Sequence, residues 1–83
     1  MEDHIRIEVR LFATLRKFFP VETRGVQQMD LPKDITIEDF VDLIGEIDKS
    51  TLILMVDGRR EKDFSKTLVE GSRVALFPPV GGG

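Results

Sequence analysis

The chain ends in Gly81-Gly82-Gly83, directly after Phe77-Pro78-Pro79-Val80. Glycine has no Cβ, so it passes through narrow channels and takes backbone angles closed to other residues. An α-carboxylate on Gly83 is sterically bare. A bare carboxylate on a mobile arm suits a terminus that is itself the reacting group. The plain alternative is a floppy end with no chemistry, since termini are commonly disordered. No other part of the chain competes for a chemical role. There is no cysteine, which removes disulfides, iron–sulfur clusters, thiolate zinc sites and a cysteine nucleophile together. His4 is the single histidine and, without companion ligands, reads as an ordinary surface residue.

Composition bounds the class. The 83 residues are 41% apolar and 33% charged, the balance of one soluble globular domain with a modest core. That domain is expected over 1–83, with 78–83 as its tail. The longest apolar run, Leu52 to Val56, is far too short to span a bilayer. The start, Met1-Glu2-Asp3-His4, is acidic and no secretory pattern follows it, so the expected location is cytoplasmic. A net charge of -3 argues against a nucleic-acid partner.

The elements that must position the tail are legible from periodicity. Ile5, Ile7, Val9 and Leu11 alternate with polar residues, the period of a strand buried on one face. Phe12, Leu15, Phe18 and Phe19 are spaced for a short helical turn closed by Pro20. Gly25 to Leu31 predicts a second strand, with Gln27, Met29 and Leu31 on one face and Val26 on the other. Thr36 is an N-cap followed by Glu38 and Asp39, carboxylates that suit the positive end of a helix. Ile37, Phe40, Val41 and Ile44 form one apolar stripe facing a sheet, and Gly45 is a natural stop. Leu52 to Val56 predicts a strand buried on most sides, and Asp57-Gly58 a tight turn into Arg59-Arg60. Lys66 to Gly71 reads as a compact turn with positive φ at Gly71. Ser72 to Phe77 is a last strand, stopped by prolines that cannot donate to a sheet ladder. One amphipathic helix and one sheet face predict an α+β β-grasp fold, a mixed sheet around a single helix, with both chain ends in neighbouring central strands.

Three segments carry a resemblance. Val9-Arg10-Leu11-Phe12-Ala13-Thr14-Leu15-Arg16 resembles the first strand and turn of the molybdopterin synthase small subunit (MoaD/ThiS) family. Leu54-Met55-Val56-Asp57-Gly58-Arg59 resembles its third strand and hairpin. Gly71 to Gly83 is similar to its ending: an apolar strand, Pro-Pro-Val, a small residue and a terminal Gly-Gly. The match runs over nearly the whole chain. The family comprises ubiquitin-like sulfur carriers. The resemblance implies that an E1-like enzyme adenylates the Gly83 carboxylate, using ATP and magnesium. Sulfur then replaces one oxygen to give a thiocarboxylate. A molybdopterin synthase large subunit, or an equivalent acceptor enzyme, takes the sulfur onto a pterin precursor of the molybdenum or tungsten cofactor. It further implies that Gly81 and Gly82 form the arm, and that Phe77, Pro78, Pro79 and Val80 meet the partner. The chain is then a protein cosubstrate, monomeric when free, that binds no cofactor itself. Glycine allows the arm to lie extended beside ATP or pterin, and 78–83 would reach roughly 20 Å.

The short stretch Glu46 to Thr51 between helix and third strand departs from that subunit, and the compact form also resembles the thiamine sulfur carriers. The Pro-Pro-Val ending favours the molybdopterin branch. Gly81, where another small residue is often seen, should loosen the tail. Passage of the activated Gly83 to a lysine of another protein, and a plain interaction module with an inert tail, are the readings from other classes. Alternation puts Ala75 and Phe77 on the open sheet face, where an exposed Phe77 is a partner anchor; packing of Phe77 on Phe12 or Phe19 is the other option. Arg10, Arg59, Arg60 and Arg73 either meet an acidic rim on a partner or are solvated surface charges.

Overall fold

The computed structural model describes residues 3–79. The first strand, β1 (His4–Leu11), pairs antiparallel with β2 (Val26–Pro32), in register from His4 opposite Pro32 to Arg10 opposite Val26. Between them the chain makes two 3₁₀ turns, Ala13–Phe18 and Val21–Thr23. A single helix, α1 (Ile37–Ile44), follows, then β3 (Ile53–Val56), the two-residue β4 (Arg59–Arg60) and β5 (Arg73–Phe77). The sheet order is β2-β1-β5-β3-β4. β5 lies parallel to β1 and antiparallel to β3, so the first and last strands are central neighbours, as the element order predicts.

One face of this sheet and the apolar stripe of α1 form the core. Ile7, Val9, Leu11, Leu54, Val74 and Leu76 point to the helix, and Ile37, Phe40 and Val41 point back; all are buried. Each such side chain contributes about 1.5–3 kcal/mol relative to exposure. The N-cap is as expected: the Thr36 hydroxyl accepts from the Asp39 N–H at 3.2 Å, with Glu38 and Asp39 in the first turn. Gln27, Met29 and Leu31 face inward in β2 and Val26 outward. The β3–β4 turn has Asp57 at φ 51 and Gly58 at φ 85, the positive pair that a two-residue hairpin favours. The Asp57 carboxylate accepts from the Arg73 N–H at 2.9 Å, tying this hairpin to β5.

Three expectations change on inspection. Gly45 ends α1, but its φ of 163 is ordinary extended backbone. Glycine stands there because the Phe18 ring packs on it: a Cβ would lie 2.5 Å from Phe18 Cδ1. Phe12 does not join the helical turn. It is extended (φ -116, ψ 151), and the turn starts at Ala13 with φ 55, a corner that swings Phe12 to the opposite side from Leu15. Finally, β3 is not buried on most sides. Leu54 is fully buried, whereas Ile53 and Met55 are only partly so. Its alternation is real but hidden, because the residues on the face away from the helix are apolar as well.

Candidate functional site

The site is built where the chain leaves the sheet. β5 is held on both edges, by β1 as far as Leu76 and by β3 as far as Phe77. The two prolines that follow cannot extend the ladder and stiffen the exit. The strand alternation puts Val74 and Leu76 into the core and Ala75 and Phe77 on the open face. The register then sets rows across that face. Phe77 stands opposite Ile53. One row back, Arg10, Ala75, Met55 and Arg60 are aligned through the β1–β5, β5–β3 and β3–β4 pairings.

Phe77 stacks on Phe12, with ring centroids 4.4 Å apart and planes at 18°. Phe77 packs on Phe12, as one alternative has it, and the stacked pair lies half-buried on the open face of the sheet. Phe19 is on the core side with Leu15. Phe12, Phe77, Ile53 and Met55 border an open hollow of 550 Å³ that runs onto Pro78 and Pro79. The prolines also border a smaller hollow of 200 Å³ on the other flank, with Thr14, Phe18, Ile47 and Leu52. The strand end thus sits between two depressions, the larger of them apolar.

Among the described residues no titratable side chain lines the apolar hollow. Arg10 and Arg60 are exposed one row behind it, and Arg10 is paired with Glu8 at 2.6 Å. Arg59 and Arg73 are exposed too, with Arg73 one position before Val74 on β5. His4 is exposed at the far end of β1. Among the described residues no group of three or more His, Cys, Asp or Glu side chains converges on a point. The groups with displaced pKa values are all surface carboxylates and their cationic partners, such as Asp30, held low chiefly by a hydrogen bond from Arg6. What the arrangement offers is an apolar surface at the end of β5. Val80, Gly81, Gly82 and Gly83 lie outside the described residues.

A family model described as the ThiS family matches residues 9–83. The chain belongs to the ThiS family. Like other ThiS-family proteins and their relatives, it is a ubiquitin-like β-grasp protein of the sulfur-carrier and modifier group. Among solved structures it is similar to SAMP1 from Haloferax volcanii at 26% identity and a TM-score of 0.71, covering 94% of this chain and 99% of that one. It is also similar to a protein described as molybdopterin converting factor subunit 1 from Pyrococcus furiosus, at 23% identity and TM-score 0.69, covering 92% and 99%. A third is the complex of subunits 1 and 2 of molybdopterin-converting factor from Helicobacter pylori, matched at 15% identity and TM-score 0.60 over 95% and 100%. No curated protein matches the chain. Sequence reasoning on this ThiS-family chain missed one part of the site. The run Leu52 to Val56 reads as a strand buried on most sides, whereas Ile53 and Met55 are half-buried on the open face; an apolar run on a strand with one helix to cover it is the signal of a second apolar face.

Proposed function

We propose that this chain is a sulfur carrier whose Gly83 is activated as an acyl adenylate and converted to a thiocarboxylate for molybdopterin synthesis. The Gly83 carboxylate attacks the α-phosphate of ATP and pyrophosphate leaves. Hydrosulfide, the sulfur source, then adds to the carbonyl, AMP leaves, and loss of the S–H proton gives the thiocarboxylate. The chain supplies the electrophile; the activating partner supplies ATP, magnesium and any general base. The observation that carries this reading is the apolar hollow of Phe12, Phe77, Ile53 and Met55 at the root of a Gly-Gly-Gly arm. A partner seated there holds the origin of the arm, so that Gly83 is delivered as an effectively intramolecular reactant. The two-subunit assembly in the Helicobacter pylori relative supports an acceptor enzyme of the large-subunit kind.

The test is intact-mass measurement after incubation with an E1-like activating enzyme, MgATP and a sulfur source. Exchange of one oxygen for one sulfur is expected on the last peptide, and removal of Gly82 and Gly83 abolishes it while leaving the thermal melt unchanged. An activating enzyme that charges a control carrier but leaves this chain unmodified refutes the reading. The similarity to SAMP1 favours one second reading, transfer of the activated Gly83 to a lysine of another protein. It is distinguished by a lysine-linked product in place of the thiocarboxylate.

A further inference from the structure

The loop between β1 and β2 folds its two 3₁₀ turns around a cleft of 690 Å³. Arg16, Lys17 and Arg24 border it, and Phe19, Pro20 and Val21 make its apolar wall. Among the described residues no carboxylate lines it, and none of these three cations is in an ion pair; the Lys17 ammonium lies over the Phe18 ring, 5.4 Å from its centroid. The clustering runs against the composition, since the chain carries a net charge of -3. Val21 is 88% exposed, the most exposed large apolar side chain described.

The backbone holds these groups in place. Gly25 has φ +81, and a Cβ there would lie 2.5 Å from the Leu11 carbonyl oxygen and 3.1 Å from Arg16 Cγ. A bare Cα lets the Arg16 stem lie across the chain at Gly25, which sets where its guanidinium starts. Arg24 is left-handed, φ 55 and ψ 33, a region that non-glycine residues seldom occupy and that points to functional sites more often than chance. It is locked there by its N–H donating to Val21 O at 3.1 Å, and by the Thr23 hydroxyl, which donates to Pro20 O at 2.7 Å and accepts from Gly25 N–H at 3.2 Å. Cations from both ends of the loop are thereby brought to one cleft.

We propose that this cleft is a second docking site, for an acidic segment of a partner protein that also carries an apolar side chain. Three cations without carboxylates of their own leave those of another chain as the complementary groups. The exposed Val21 side chain offers an apolar contact that a bare anion cannot use. The place suits a partner that handles the arm. Lys17 borders both this cleft and the hollow lined by Pro78 and Pro79. A segment held at the cleft therefore lies beside the root of the tail and adds a second point of attachment. The cleft is independent of the chemistry at Gly83.

The test is titration of the isotope-labelled full chain with a blocked peptide, Asp-Glu-Leu-Glu-Asp, followed by NMR. Saturable shifts are expected at the amides of Arg16, Val21, Arg24 and Gly25, and not at Arg60 or Arg73 on the open face. Added salt weakens binding through screening. The double variant Arg16→Ala/Arg24→Ala should bind at least tenfold more weakly, and Val21→Ser about threefold more weakly, in keeping with a pocket of mixed charge and apolar contact. All three positions are exposed, so both variants keep the native melt. Equal shifts over every arginine-bearing surface overturn the proposal. So does equal binding of Asp-Glu-Gly-Glu-Asp, or of inorganic phosphate at the same signals, because either reduces the cleft to general anion attraction.

Discussion

Phe77→Ala separates the packing that the structure gives this side chain from the docking proposed for it. The ring is half-buried and stacked on Phe12 at 4.4 Å. Full burial of such a side chain contributes about 1.5–3 kcal/mol, so half-burial contributes about 1 kcal/mol. The stacked pair adds about 0.5–1.5 kcal/mol. The expected cost is therefore about 2 kcal/mol, a fall in melting temperature of roughly 8–16 °C for a domain of this size. Phe40→Ala, at a side chain with no exposure, should cost about 3–5 kcal/mol because it leaves a closed cavity. A cycle of Phe12→Ala, Phe77→Ala and the double variant should show a coupling of about 1 kcal/mol. Calorimetric titration of folded Phe77→Ala against the activating enzyme should show a loss of about 2 kcal/mol, roughly thirtyfold in affinity. The reasoning fails if Phe77→Ala is as destabilising as Phe40→Ala, or if the two phenylalanines are additive. Unchanged affinity would remove the hollow from the docking surface.

Two further outcomes follow from local geometry. Gly25→Ala combines a φ of +81 with a 2.5 Å approach to the Leu11 carbonyl oxygen, so a loss of more than about 1 kcal/mol is expected in urea denaturation; a neutral result would show that the loop relaxes freely. Hydrogen bonds from Arg6 onto Asp30, from Ser50 onto Asp48, from Ser65 onto Asp63 and from the Asp63 N–H onto Glu61 hold these carboxyls below their ordinary values. A lowered folded-state value contributes stability above the unfolded pKa that is lost as pH falls through the folded one. Urea midpoints should thus be level from about pH 8 to 5 and decline below about pH 4. The decline is shallow because Asp30, Asp48 and Asp63 are exposed and only Glu61 is half-buried, and an onset near pH 6 would contradict this account.

The fold was legible to the extent that burial is periodic. The β1 alternation, the α1 stripe with its Thr36 cap and the Asp57-Gly58 turn each state a local preference that the tertiary structure keeps. Where a residue is held by something distant in sequence, local pattern failed. Gly45 reads as a helix stop, yet its reason is the Phe18 ring, which arrives from the first turn. Phe12 fits the spacing of that turn, yet the Ala13 corner sends it to Phe77, 65 positions away in the chain.

Residue types narrow the chemistry before any fold is known: the chain has no cysteine and one histidine, and the expectation of a reacting Gly83 carboxylate rests on the glycine run after Pro78-Pro79-Val80 together with the family resemblance. What surrounds the end of β5 follows from the tertiary structure alone. Ile53 and Met55 are apolar whether they meet a helix or a partner, and hydrophobicity carries no direction. The pairing of β3 with β5, and the presence of a single helix on one face only, turn them outward beside Phe77. In the same way, the charges of Arg16 and Arg24 are plain in the sequence, but their meeting at one cleft depends on two backbone turns and a glycine beneath them.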